Sequence, residues 1–172
     1  MKSKIMPTAV LGTICLVVAL LLSVVNMFTA PEIERQLNKK NEAALGEIFP
    51  TPEGLTPTDE YKDIIDKTIT KVYKNEHGFV FQVSTKGKNP GMIVMIGVDN
   101  DGKITGTKCT ANDETKTYAA PVFAVTEDGY YVGMDKGSMK PFAVSGSTLT
   151  SKAYSNAVSA ALDAFAAIKG GN

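Results

Sequence analysis

The chain begins with a long apolar block and then changes character. No charged residue occurs from Ile5 to Pro31, a run of 27 positions whose apolar heart is Ala9–Phe28. A membrane-spanning helix needs roughly 20 mostly apolar residues to cross a hydrocarbon core of about 30 Å, and this stretch meets that length. A cleaved signal peptide has a shorter apolar region, about 7–15 residues, ahead of a small-residue cleavage site. Here Phe28-Thr29-Ala30 runs into Pro31, so an uncleaved single span is the expectation. Beyond it, Ile33, Leu37, Ala44 and Ile48 recur at helical spacing among charges, which predicts a helix over Glu32–Phe49. Pro50-Thr51-Pro52 and Gly54–Thr58 read as a linker. The division expected is a short tail and transmembrane helix over 1–31, a helical neck and linker over 32–58, and one domain over 59–172.

Within that domain the pattern shifts to strands. Lys62–Lys67 reads as a helical turn or a strand lead-in. Ile69–Lys74 and Phe79–Ser84 flank the turn-like Asn75-Glu76-His77-Gly78. Met92–Val98 is almost continuously apolar, as in a strand buried on both faces. Asp99-Asn100-Asp101-Gly102 turns the chain, and Lys103–Thr110 alternates as a returning strand. Tyr118–Val125 and Tyr130–Met134 read as further strands. Ser151–Ile168 reads as a helix with Val158, Ala161, Leu162 and Phe165 on one face, closed by Gly170-Gly171. The class is α+β: a twisted antiparallel sheet with flanking helices behind a single N-terminal transmembrane helix.

Charge narrows the partners. The 18 basic and 18 acidic residues cancel, which excludes the basic balance of a nucleic-acid binder. Lys2 and Lys4 before the span are matched by Arg35, Lys39 and Lys40 after it, so charge bias alone leaves the topology open. Cys15 lies in the span and Cys109 far outside it, an unsuitable pair for a disulfide.

Most candidate chemistry fails on spacing. With Gly102 at the sixth position of a calcium loop, Gly97 and Lys108 fall where a carboxylate ligand and a bidentate Glu belong. One histidine, His77, and one cysteine outside the span cannot make an ordinary zinc site, and His77 reads as a solvated loop residue. The glycine-rich nucleotide loops are absent. What remains is Val144–Ser151, where hydroxyls crowd around Gly146 just before the last helix. Free N–H groups and the positive end of the helix dipole suit an anion there. A Ser/Thr-rich N-cap serving only the helix fits the same residues.

Ser145-Gly146-Ser147-Thr148-Leu149-Thr150-Ser151 resembles the S-G-A-T-x-T-S motif of the covalent flavin-binding domain. That domain occurs in the single-span flavoprotein component of the Rnf electron-transport complex, and in its counterpart within the sodium-pumping NADH:quinone reductase. The resemblance extends over most of the chain in order: the single span, Gly91–Ile104, Glu114-Thr115, the motif and a closing helix. Length and the lack of large insertions are more similar to the Rnf component.

The resemblance implies FMN held covalently through its phosphate on Thr148, with Thr150 as the alternative acceptor. It implies a flavin transferase that uses FAD. Ser145, Gly146, Ser147, Leu149 and Thr150 would form the phosphate loop, and Glu114 and Thr115 would belong to the loop facing the flavin. It further implies an electron-carrying component of an ion-translocating ferredoxin:NAD+ oxidoreductase, single-pass in the cell membrane. The large domain would be extracytoplasmic, and other membrane and cofactor-bearing subunits, with the lipid bilayer, would be its partners. Two differences stand out. Phe142 replaces an Asp often found six residues before the acceptor, and Lys116-Thr117-Tyr118-Ala119 replaces P-G-L-G after the Glu-Thr pair. The competing expectations are a stand-alone extracytoplasmic flavin carrier and a non-redox anchored binding module.

Overall fold

The computed structural model describes residues 2–170. Met1 and Gly171, assigned above to the tail and the closing glycine pair, lie outside the described residues. Among the described residues the order is α1 (Lys2–Ile48), β1 (Thr56–Thr58), β2 (Ile69–Asn75), β3 (Gly78–Thr85), β4 (Met92–Asp99), β5 (Ile104–Ala111), α2 (Lys116–Glu127) and α3 (Thr148–Gly170). The chain divides into two compact units, Met1–Lys39 and Lys40–Asn172.

The first unit is helical. Leu20, Leu21 and Leu22 are 59–65 % exposed and no protein surface covers them. The part of α1 from Val10 onward contains a stretch of mean hydropathy 2.5 with none of it buried, long and apolar enough to cross a membrane. That supports a single-pass membrane protein. The helix continues through Pro31, although a proline there removes one backbone N–H from the helical ladder.

The second unit is built on a five-stranded meander in the order β1-β2-β3-β4-β5, every neighbouring pair antiparallel. Its two faces are covered by different segments. Phe79, Phe81 and Val83 of β3 and Val94, Ile96 and Val98 of β4 share one core with Tyr154, Val158, Ala161 and Leu162 of α3. Successive strand side chains point to opposite faces. Val80 and Met95 therefore lie on the other side, packed with Ala44, Ile48 and Phe49 at the end of α1. Asn41 Nδ2 donates to Gln82 Oε1 at 3.3 Å, with both residues buried. The almost unbroken apolar run of β4 follows from this double cover.

Two glycines permit the close approach on that second side. Gly97 and Gly106 are register partners. A Cβ at Gly106 would lie 2.7 Å from Ile48 Cα, and one at Gly97 would lie 3.0 Å from Ile48 O. Thr105 Oγ1 donates to Ile48 O at 2.7 Å, fixing the helix end against β5.

Three expectations change. Tyr118–Val125 is not a strand but most of α2, with Ala119, Val122 and Thr126 buried at helical spacing. This face packs on β5, so tertiary packing overrides the local strand preference. Tyr130–Met134 is a run of turns. It makes only two bonds to the sheet, Ile104 N to Met134 O and Gly133 N to Ile104 O, both 2.8 Å. Gly129 and Gly133, at φ +87° and +81°, bend it away from an extended path. Thr56–Thr58, read as linker, is the edge strand β1 paired with Val72–Lys74. Lys62–Lys67 is turns, with Ile64 N and Ile65 N both donating to Tyr61 O.

Replacing Gly106 with Ala forces Ile48 to move. We expect a loss of about 1–3 kcal/mol, the usual cost of overpacking, in denaturant unfolding of the detergent-solubilised chain. An unchanged midpoint would remove the steric role assigned to this glycine.

Candidate functional site

The start of α3 follows a tight turn. Ser147 N donates to Val144 O at 2.9 Å, closing a four-residue turn with Gly146 at φ +78° in its third position. That φ is costly for a residue with a Cβ, which explains the glycine between two serines. Ser151 is fully buried and staples the turn to the helix. Its Oγ accepts from Val144 N at 3.1 Å and donates to Ser147 O at 3.0 Å. The first backbone bond of the helix is Ser151 N to Ser147 O. The amides of Thr148, Leu149 and Thr150 precede it and have no acceptor within the helix.

The hydroxyls of the motif part company here. Thr150 is 2 % exposed, and its Oγ1 donates to Glu114 Oε2 at 3.0 Å. Ser147 is buried as well. Thr148 is exposed at the first position of α3, and among the described residues no protein group hydrogen-bonds its hydroxyl. Of the motif's two threonines, Thr148 is thus the one whose hydroxyl is exposed and without a protein partner.

Glu114 joins the neighbouring segments. Its Oε1 accepts from Asn89 N at 2.9 Å, while Asn89 Nδ2 donates to Asp113 O at 2.6 Å. Gly87 packs so closely that a Cβ on it would lie 2.6 Å from Glu114 Oε1. The loop after β3, the start of α2 and the start of α3 therefore meet at one buried carboxylate. Between them lies a cleft of about 410 Å³ lined by Lys88, Glu114, Tyr118, Gly146, Ser147, Thr148, Leu149 and Thr150. Ligand pockets usually measure roughly 300–1,000 Å³.

Six of the expected site residues, Glu114, Gly146, Ser147, Thr148, Leu149 and Thr150, come together in this cleft. Ser145 and Thr115 do not line it. Ser145 is exposed in the turn, and Thr115 caps α2, its carbonyl accepting from Tyr118 N and Ala119 N. Sequence reasoning passes over Lys88, the cation among the lining residues. Its only signal is a turn-rich stretch, Lys86–Gly91, whose place beside Thr150 depends on Asn89 and Glu114.

Residues 87–163 match the FMN-binding domain. The match covers less than half of the chain and contains every residue lining the cleft. It supports a flavin-binding module with a redox role as an electron carrier. No curated protein matches the chain.

The residues fit the phosphate of such a group. Three acceptor-free amides at the helix start, the turn at Gly146 and the Lys88 ammonium supply hydrogen bonds and positive potential where an anion is needed. Leu149 is 60 % exposed and Tyr118 46 %, so apolar surface lies beside the anion cradle. Among the described residues no cluster of His, Cys, Asp or Glu is placed to hold a metal. Asp99 Oδ1 accepts from Asp101 N and Lys103 N, both at 2.9 Å, a turn bonded to itself. His77 is exposed beside Glu76. Burial pushes the Cys109 thiol up to about 12 and the Tyr131 phenol to about 12.

Two outcomes follow. Glu114→Ala strands the Thr150 hydroxyl and the Asn89 amide, and should cost about 1.5–3 kcal/mol in chemical denaturation, the range for a hydrogen bond to a charged group. Cys109, with its pKa raised, holds almost no thiolate near neutrality. It should resist iodoacetamide in the folded chain and react once unfolded; rapid labelling of the native protein would contradict the burial assigned to it.

Proposed function

We propose that the chain is a membrane-anchored flavoprotein that passes electrons between neighbouring cofactors, with FMN ester-linked through its phosphate to Thr148. The observation that carries this reading is the contrast between two threonines. Thr148 presents a free hydroxyl beside the open amides of α3, whereas Thr150 is buried and bonded to Glu114.

Attachment would exchange one P–O bond for another. Thr148 Oγ1 would bond to the flavin-side phosphorus of FAD as the P–O bond of the pyrophosphate breaks; AMP would leave and the hydroxyl proton would pass to solvent. The resulting phosphodiester keeps one negative charge, which the first turn of α3 stabilises by about 0.3–1 kcal/mol. Lys88 adds a second positive charge from the cleft wall. Bound there, the flavin supplies the redox chemistry, and the protein holds its position and environment. No residue of the cleft needs to act as an acid or base in turnover.

The finer assignment is to the single-span flavoprotein position of an Rnf-type ion-translocating ferredoxin:NAD+ oxidoreductase. The apolar N-terminal helix, the motif and the order of segments between them support it. In this reading the N-terminus is cytoplasmic and the domain extracytoplasmic, the helix packs against partner subunits in the bilayer, and a flavin transferase matures the protein. A stand-alone carrier would share the Thr148 linkage without stable partners, and purification in mild detergent separates the two.

The test is peptide mass analysis of chain made together with the transferase. The peptide containing Thr148 should gain FMN through loss of one water; Thr148→Ala should abolish the gain and Thr150→Ala should keep it. Full modification of the Thr148→Ala variant would refute the acceptor. Protease added to intact cells should remove the domain; complete protection there, with digestion only after lysis, would reverse the proposed orientation.

A further inference from the structure

We propose that Tyr118 is the aromatic wall against which the flavin ring lies, an inference that rests on the flavin reading of the Thr148 cleft. Outside α1, the large apolar side chains left exposed among the described residues are Ile64, Tyr118, Val132 and Leu149. Two of these four line the same cleft, the one that also presents the Thr148 hydroxyl. Tyr118 is the aromatic residue among the lining groups, and about half of it is open to solvent.

Its placement follows from the first turn of α2. Thr115 O accepts from Tyr118 N at 2.9 Å and from Ala119 N at 3.0 Å, which fixes the backbone on both sides of the side-chain branch. Ala119, the next residue, and Val122, one turn further on, are buried and seat α2 on the domain. Tyr118 stands in the first turn of α2, at the end of the helix that borders the cleft, and stays 46 % exposed there. A flat, uncharged ring system tethered at Thr148 needs apolar surface within reach of its anchor. A phenol ring supplies both surface and a quadrupole suited to offset stacking. Leu149, adjacent to the anchor in sequence, supplies aliphatic surface and no π-face.

Stacking on tyrosine has a spectroscopic consequence. An electron passes from the phenol to the photoexcited ring and returns, so both partners end unchanged and the emission is lost. The experiment uses full-length chain made with the transferase, with loading verified by intact mass. Emission and lifetime are then compared before and after proteolysis to small peptides. The folded wild-type protein should emit several-fold less than its digest. Tyr118→Leu, which keeps apolar surface but removes the electron donor, should raise the folded emission to near the digest value; Tyr118→Trp should keep it quenched. Circular dichroism and thermal midpoint should stay at wild-type values, since Tyr118 is outside the core. A loaded Tyr118→Leu protein as dark and short-lived as wild type would overturn the stacking. So would wild-type protein as bright as its digest. A chain that carries no FMN by mass overturns the flavin reading, and this inference with it.

Discussion

The site depends on one buried carboxylate shared by two segments. Glu114 accepts from the Asn89 amide with one oxygen and from the Thr150 hydroxyl with the other. It also stands two residues before α2 begins. Burying such a group is unfavourable unless its oxygens are hydrogen-bonded, and here both are. The bridge sets the cleft width: it holds the Lys88 loop, the Tyr118 turn and the start of α3 together. It also separates the motif's two threonines. By engaging Thr150 it leaves Thr148 as the exposed hydroxyl at the open end of the helix.

The sheet makes that bridge possible by giving α3 a firm seat. Side chains from alternating positions of β3 and β4 enter two cores, one shared with α3 and the other with the end of α1. Because β4 is buried on both faces, the chain needs Gly97 and Gly106 where Ile48 approaches the strands. At its first residue the outer edge of β5 is paired, Ile104 N donating to Met134 O and Gly133 N to Ile104 O, and α2 packs on the same strand. Turn chemistry completes the seat. Ser151 ties Val144 to the first turn of α3, and Ser155 Oγ in turn donates to Ser151 O and pairs with the Tyr131 hydroxyl.

Much of this is legible from pattern alone. The apolar N-terminal run is legible from its length, β4 from its unbroken apolar stretch, β2, β3 and β5 from the turns that bound them, and the last helix from its helical period. The Thr148 motif is legible only through its resemblance, because the same residues also describe an ordinary helix cap. The failures have particular causes. Tyr118–Val125 is rich in residues that tolerate strands, and only its packing on β5 makes it helical. Thr56–Thr58 is too short and proline-bearing to announce an edge strand. Lys88 and Asn89 are invisible as site residues in the sequence, since their place is set by a hydrogen bond to a residue 25 positions later in the chain. The different fates of Thr148 and Thr150 likewise lie in burial and not in composition.

The central claim is an ester between Thr148 and the flavin phosphate, and phosphorus NMR of the loaded chain tests it most directly. A phosphodiester has no second ionisation, whereas a phosphomonoester titrates near about pH 6. A single resonance that stays fixed from about pH 5 to about pH 8 and survives exhaustive dialysis is the predicted result. A resonance that shifts through that range, or disappears with dialysis, would show a reversibly bound monoester and contradict the linkage.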